Sequence, residues 1–277
     1  MEIKYHIVIE PGRSDKNYWA DLWRYKELFY ILSWRDIKVR YKQTIIGIVW
    51  AFLRPFLTML TFTIVFGKLA GMKSDGNAPY ALMVFAGLLP WQFFSTSFSS
   101  ASESLITNSN LLSKVYFPRL ILPASAIITS FIDFIISFAI LILLMGYYKF
   151  LPNWQILCLP FFILLAFLQS FGFGLYLAAI NVKFRDFRYV IPFIVQIGLY
   201  ISPVGFSSSI IPVKWKILYY LNPMVSVIDG FRWCILGEGA ANPFSVYFIL
   251  SFSVTILMLA YAAYKFRKME KTFADLI

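Results

Sequence analysis

The sequence predicts an all-α integral membrane protein with six transmembrane helices. Hydrophobic residues make up 60% of the 277 residues and charged residues only 14%, whereas soluble domains are roughly 45–50% apolar and about 25% charged. The mean hydropathy is +0.70. Several stretches have the roughly 20 apolar residues that a helix needs to cross a bilayer. These observations exclude a disordered chain, a coiled coil and an ordinary soluble enzyme.

Six apolar segments approach or exceed the length of a membrane span. They are residues 47–69, 80–98, 120–148, 154–180, 189–206 and 244–264. Open strands are excluded, because unpaired backbone groups are too costly in lipid. We therefore expect one transmembrane domain over 47–266, between an N-terminal tail (1–46) and a short C-terminal tail (267–277).

The positions of Lys and Arg predict the orientation of these spans. Of 25 basic residues, 17 lie in the two tails and in the loops after spans two and four, and five lie on the opposite side. Basic loops stay in the cytoplasm, so both tails are predicted to be cytoplasmic. Orientation therefore accounts for the net charge of +11, and no nucleic-acid partner is expected.

The segment before the first span, residues 18–43, mixes aromatic and basic side chains. This composition suits a helix that lies in the cytoplasmic headgroup layer. Its apolar residues do not fall cleanly on one helical face. A solvated helix that contacts another protein therefore stays open as an alternative.

The last outer loop, residues 207–243, contains two largely apolar pieces, 215–221 and 225–236, on either side of Asn222-Pro223. Neither piece can span the membrane. Pro fits the first turn of a helix, so Asn-Pro marks where one helix stops and another starts. We expect two short re-entrant helices that cap a pathway, since such backbone is tolerated where protein or water covers it.

Four stretches occur in a characteristic order. They are Arg35–Thr44 with Gly47–Trp50 and Arg54-Pro55, Gly87–Trp91 with Asn110–Arg119, Phe184–Asp186 with Ser202–Val204, and Leu221–Met224. In this order and spacing the chain resembles the membrane subunits of type-2 polysaccharide-exporting ABC transporters. The likeness is greatest to the permeases that export O-antigen, for lipopolysaccharide, or capsule, with the teichoic acid permeases as relatives.

The resemblance implies an assembly and a location. Two copies of the chain would pair in a bacterial inner membrane, each with a separate ATPase subunit, and export a lipid-linked polysaccharide. ATP and Mg²⁺ would bind to the ATPase, and no cofactor is expected in this chain. The pattern GxxxxGK[ST] does not occur in the sequence, so ATP hydrolysis by that route is not expected here.

The resemblance also implies a cytoplasmic coupling helix over residues 108–117, between spans two and three, which docks on the ATPase. Asn108 or Asn110 can cap its start and Pro118 ends it. Apolar residues in a cytoplasmic loop need a cover, although a plain connector is the alternative. The predicted contact residues are Asn110, Leu111, Leu112, Val115, Tyr116 and Phe117, with Arg185 and Asp186 as a second contact or a local ion pair.

Aromatic rings can stack on the apolar C–H faces of sugars without holding any one site tightly. The resemblance implies a path between the first and fifth spans of the two copies. The predicted path residues are Trp50, Phe52, Phe56, Phe62, Phe193 and Tyr200. The predicted outer gate residues are Tyr219, Tyr220, Asn222, Pro223 and Trp233. The alternative for any one ring is contact with lipid or an interfacial belt.

Two further functions stay open. A secondary transporter or flippase that works without an ATPase would need ion-coupling residues inside the membrane, and Asp133 is the deep acid. A membrane-embedded transferase would need clustered Asp, Glu or His, whereas the single histidine, His6, lies in the tail.

Two charged residues lie inside the predicted spans. Asp133 marks either a functional site or a buried hydrogen bond. Arg54 either reaches the inner headgroups or lines a cytoplasmic mouth.

Overall fold

The computed structural model describes residues 18–42 and 45–273, which form helices and turns with no strand among them. His6, the rest of residues 1–17 and the last four residues of the C-terminal tail lie outside the described residues. The α-helices are α1 (Tyr18–Arg24), α2 (Lys26–Tyr41), α3 (Ile45–Phe62), α4 (Tyr80–Thr107), α5 (Ser109–Lys114), α6 (Ile121–Tyr147), α7 (Leu159–Lys183), α8 (Phe187–Ile201), α9 (Val213–Tyr219), α10 (Pro223–Leu236) and α11 (Val246–Glu270). A π-helical segment, Thr63–Leu69, extends α3, and a 3₁₀ turn, Trp154–Cys158, precedes α7.

Within residues 18–42 and 45–273, five helical segments are long and apolar enough to cross a membrane. Their ranges are Phe52–Leu69, Tyr80–Thr107, Ile121–Tyr147, Trp154–Lys183 and Val246–Glu270. The prediction of an all-helical integral membrane protein is confirmed at this level.

The fifth predicted span, 189–206, is a shorter helix than expected. It ends at Ile201, so α8 has 15 residues and is about 22 Å long at 1.5 Å per residue. Ser202 precedes Pro203, and the proline ring disfavours helical backbone at the residue before it. Ser202 accordingly has an extended ψ of 150°.

Helix α4 occupies the centre of the bundle and packs against α6, α7 and α10. Its side chains from Leu82 to Leu89 are inaccessible all around the helix, as expected for a helix that is hydrophobic on every face. Helices α3 and α8 also contact α4, whereas α11 packs against α7. Helices α3 and α8 keep wide exposed faces.

The two halves of the predicted outer loop differ in burial. Nearly all of α10 is buried, and it packs against α4 and α7. Helix α9 keeps Val213, Trp215 and Leu218 exposed. The break between them falls where predicted, since Asn222 caps α10 by accepting a hydrogen bond from the Met224 N–H at 3.1 Å and Pro223 occupies its first turn.

A second cluster of buried side chains lies at the end of the bundle that carries α5, here called the α5 end. It joins Leu32 of α2 to Leu112, Phe117, Phe266 and Phe273. Helix α2 packs along α6, while Trp19, Trp23 and Trp34 remain exposed. Helix α11 continues to Glu270, beyond the predicted end of the span near residue 264.

Close packing of α10 depends on a glycine. A Cβ atom at Gly230 would overlap the Phe162 ring of α7. In contrast, a Cβ at Gly146, near the end of α6, would meet no atom within 4 Å.

We therefore expect Gly230→Val to lower the stability of the folded protein by about 1–3 kcal/mol, the usual cost of overpacking. Gly146→Val is the matched control, because it adds the same side chain to a helix in open space. Thermal unfolding of the detergent-solubilised variants measures the difference. Equal melting temperatures would contradict this account of the packing.

Candidate functional site

A groove of about 640 Å³ opens between α2, α3, α4, α6 and α8. We call it the polar groove, because its wall combines apolar residues with many polar ones. Its polar lining side chains are Arg40, Tyr41, Arg54, Thr58, Gln92, Ser95, Thr96, Ser99, Asp133, Ser137 and Gln196. Its volume falls within the range of roughly 300–1,000 Å³ typical of ligand sites.

The polar wall of the groove follows from helical spacing on α4. Gln92, Ser95, Thr96 and Ser99 are three or four residues apart and so lie on one face of the helix. The Ser95 and Thr96 hydroxyls donate to the Gln92 carbonyl at 3.1 Å and 2.8 Å. These hydroxyls are satisfied within the helix, and their oxygens can still accept a further hydrogen bond.

Helix α8 closes the opposite wall. Pro192, Val195, Gln196 and Leu199 line the groove from this helix. A Cβ at Gly198 would overlap the Trp91 indole, so this glycine permits α8 to approach α4.

Asp133 of α6 is held by two residues at the end of α2. Its Oδ2 atom lies 2.6 Å from Arg40 Nη2, and its Oδ1 atom accepts a hydrogen bond from the Tyr41 hydroxyl. Burial, followed by the adjacent Asp133 carboxylate, raises the pKa of Tyr41, so the phenol stays protonated at neutral pH. Asp133 thus has both a hydrogen-bond donor and an ion-pair partner, 92 and 93 residues away in the sequence.

The predicted path residues occupy different environments. Trp50 is 57% exposed and lines the polar groove. Phe52, Phe193 and Tyr200 are exposed on α3 and α8. Phe56 is half-buried, with its ring centroid 6.3 Å from that of Phe52. Phe62 is buried against Phe66, with the two centroids 5.3 Å apart.

The predicted outer gate residues lie in α10 or directly before it. The buried Tyr220 donates its hydroxyl hydrogen bond to Asp229 Oδ2 at 2.8 Å. Asn222 Nδ2 donates to Ser202 Oγ at 3.0 Å, which ties the start of α10 to the end of α8. Tyr219 is half-buried, and Trp233 is half-buried edge-to-face against Trp154.

Arg232 is the residue of this region that the sequence pattern did not reveal. Its side chain is 1% exposed. Its guanidinium donates to the carbonyls of Met83 at 3.3 Å, Phe206 at 2.7 Å and Val204 at 2.8 Å, and Asp75 Oδ2 lies 3.9 Å away. The Asp229 carboxylate, three residues earlier on the same helix, accepts from the Tyr220 hydroxyl.

The predicted coupling segment is divided between a buried anchor and an exposed tip. Its helical part is α5, only six residues long. Leu112 and Phe117 are buried in the chain's own core, Leu111 is half-buried and Asn110 is exposed. Val115 and Tyr116 are each 49% exposed, beside a small cavity of about 190 Å³.

Asn108 precedes α5 without capping it. Its side-chain oxygen accepts a hydrogen bond from Arg35 of α2 at 2.9 Å. The second predicted contact, Arg185 and Asp186, is exposed in the turn between α7 and α8.

The end of α11 contacts the residues just before α6. The Glu270 carboxylate accepts from the Arg119 N–H at 2.9 Å and from the Tyr18 hydroxyl at 3.3 Å, and the Arg119 guanidinium donates to the Glu270 carbonyl. Burial, and then the nearby Glu270, raises the pKa of Tyr18. These contacts join the first and last described helices to the chain just after α5.

Comparison with known proteins gives one family and several relatives. Residues 27–236 match the family described as ABC-2 type transporter. The O-antigen export system permease protein RfbA of Myxococcus xanthus is 29% identical over 252 residues, which cover 90% of this chain and 96% of that protein. An RfbA of Klebsiella pneumoniae is 27% identical, covering 91% and 95%. The polysialic acid transport protein KpsM of Escherichia coli is 24% identical, covering 84% and 91%.

We expect Arg232→Met to destabilise the protein by about 3–5 kcal/mol, because it leaves a buried carboxylate without its counter-ion and buried carbonyls without their donor. The control is Arg24→Met, which removes an exposed pair with Asp21 at 3.1 Å and is expected to cost less than about 1 kcal/mol. Unfolding measured in detergent compares the loss of stability in the two variants. Similar losses would mean that the Arg232 contacts contribute little.

Proposed function

Because the chain belongs to the ABC-2 type transporter family, we propose that it forms the channel of an ATP-driven exporter of a lipid-linked, O-antigen-like polysaccharide. The observation that carries the proposal is similarity along nearly the whole chain to O-antigen export permeases. The chain is a multi-pass membrane protein of a transporter family and not a catalytic enzyme. The membrane we propose is the bacterial inner membrane.

The proposed topology has six spans, built from α3, α4, α6, α7, α8 and α11, with both termini in the cytoplasm. Helix α8 is too short to cross about 30 Å of hydrocarbon alone. We infer that the loop after Ile201 and the inserted α10 complete the barrier on that side. Helices α9 and α10 are then the re-entrant pair, and α1 and α2 lie at the cytoplasmic interface.

The second copy of the chain is proposed to cover α3 and α8. These two helices carry exposed aromatic side chains next to the polar groove, including Trp50, Phe52, Phe193 and Tyr200. Two copies that face each other through these helices would enclose a path whose walls combine rings and polar groups. A sugar polymer needs both, since its hydroxyls seek hydrogen bonds and its C–H faces stack on rings.

ATP and Mg²⁺ are proposed to bind to two separate ATPase subunits. The exposed tip at Val115 and Tyr116 is the proposed docking contact, while the buried Phe117 transmits its movement. Phe117 packs in the same cluster as Ile121 and Leu122 of α6. Movement of α5 would therefore pass directly to a membrane span.

A capsule exporter of the same class is the second candidate for the substrate, because the chain is also similar to KpsM. An ATPase-independent flippase is less well supported. The deep acid that it would use for ion coupling, Asp133, is already paired with Arg40 at 2.6 Å.

The function is tested by producing the chain together with a candidate ATPase subunit of this transporter class and measuring the polysaccharide that reaches the outer face of the inner membrane. We expect export with the intact ATPase and none when its ATP-binding lysine is replaced. Export that continues with the inactive ATPase would overturn the proposal of an ATP-driven exporter.

Replacing the exposed tip tests the coupling contact. We expect Val115→Ser together with Tyr116→Ala to weaken association with the ATPase and to reduce export, because both side chains are half-exposed and offer an apolar surface. Tyr147→Ala is the control, since Tyr147 is more accessible, at 79%, but lies at the far end of α6. Co-purification and ATP turnover are the measurements, and an unchanged complex would assign docking elsewhere.

Replacing path rings should slow transport without preventing assembly. One ring contact contributes about 0.5–1.5 kcal/mol, so we expect Trp50→Ala or Tyr200→Ala to reduce export about 2- to 10-fold. Tyr264→Ala, on the exposed face of α11, should leave the rate unchanged. Equal effects of all three would indicate that the rings contact lipid.

A further inference from the structure

The polar groove has an uncompensated positive charge. Its charged lining residues are Arg40, Arg54 and Asp133. The Asp133 carboxylate is paired with Arg40. Arg54 has no ion-pair partner among residues 18–42 and 45–273, so its guanidinium supplies the net charge of the groove.

Arg54 lies where a charge is costly. It belongs to the apolar segment Phe52–Leu69, which is long enough to span the membrane. Charged side chains in such segments usually pair with each other or face a water-filled cavity. The Arg54 side chain is exposed and faces the polar groove.

The groove surrounds Arg54 with further hydrogen-bonding groups. Gln92 of α4 and Gln196 of α8 line it from the other side, and each carboxamide offers two N–H donors. Trp50 precedes Arg54 by one turn on α3 and lines the same cavity. A ligand in the groove would therefore meet a guanidinium, amide donors and an aromatic ring.

This set of groups suits a phosphate ester. A guanidinium binds phosphate oxygens through two parallel hydrogen bonds, which are stronger than neutral ones. Arg54 lies about two turns inside the predicted first span, residues 47–69, from where an arginine side chain can reach the lipid phosphates at the membrane surface. Trp50, Arg54 and Gln196 are all exposed, so the groove is open on that side.

We propose that the polar groove binds the phosphate headgroup of the lipid that carries the polysaccharide, with Arg54 as its anion-binding residue. The identity of the lipid rests on the proposed function. Asp133 has a defined part in this site, because its pairing with Arg40 limits the net charge to one. A more positive groove would hold the headgroup more tightly and slow its release.

The test measures lipid binding directly, using the full chain in complex with its ATPase in detergent and native mass spectrometry. The probes are a polyprenyl pyrophosphate without sugar, phosphatidylglycerol and inorganic pyrophosphate. We expect one polyprenyl pyrophosphate per copy of the chain, bound in preference to the other two.

Variants then locate the site. Arg54→Gln should weaken polyprenyl pyrophosphate binding about 10- to 100-fold, as expected for losing charge-assisted hydrogen bonds. Arg54→Lys keeps the charge but not the paired donors and should weaken it less. Lys265→Gln, which removes a basic side chain at the end of α11, outside the groove, should have no effect. If Arg54→Gln does not fold, comparing polyprenyl pyrophosphate binding by Arg54→Lys and by the unaltered chain still tests whether Arg54 holds the headgroup.

Three results would overturn the proposal. Binding that is independent of Arg54 would place the headgroup elsewhere. Equal binding of phosphatidylglycerol would make the groove a site for ordinary membrane lipid, and equal binding of inorganic pyrophosphate would make it an ion site. Loss of ATP dependence in the export assay, with Arg54-dependent binding retained, would overturn the proposed function and leave the headgroup site standing.

Discussion

The buried guanidinium of Arg232 is the interaction on which the bundle most depends. It joins α10, which carries it, to the Met83 carbonyl of α4 and to the Val204 and Phe206 carbonyls that follow α8. The backbone after Ser202 has left the helix, so its carbonyls lack helical partners, and a buried carbonyl without a donor is costly. One side chain therefore satisfies the backbone exposed by the early end of α8 and fixes α10 against the central helix.

This arrangement explains how polar groups coexist with an apolar bundle. At one end, the Arg232 guanidinium donates to backbone carbonyls, and Tyr220 donates to Asp229. In the middle, hydroxyls on α4 bond back to their own helix and still line the polar groove. Towards the α5 end, Arg40 and Tyr41 satisfy Asp133. Among the residues that the structure describes, the buried charges of Asp75, Asp229 and Arg232 have partners within the chain, whereas Arg54 is exposed and faces the open groove.

Features that depend on neighbouring residues could be predicted from the sequence. Contacts between residues far apart in the sequence could not. The break at Asn222-Pro223 follows from cap preferences of neighbouring residues, so sequence reasoning located it. The partners of Asp133 lie more than 90 residues away, and no spacing rule connects them. The partners of Arg232 were also far from it in the sequence, since its guanidinium donates to carbonyls 26 to 149 residues away. Tyr116 and Phe117 look alike in sequence, but only packing against α6 determines that Phe117 is buried and Tyr116 exposed.

The contact between Tyr18 and Glu270 also has a consequence for biosynthesis. These residues are 252 positions apart, and Glu270 also holds Arg119, next to the proposed docking tip. A ribosome makes the chain from its N-terminus at about 5–20 residues per second. Residue 270 is therefore added many seconds after residues 18 and 119. The surface around α5 is therefore completed only when synthesis has almost finished. A truncated chain would lack this surface even if every earlier span had inserted, so assembly distinguishes finished subunits from unfinished ones.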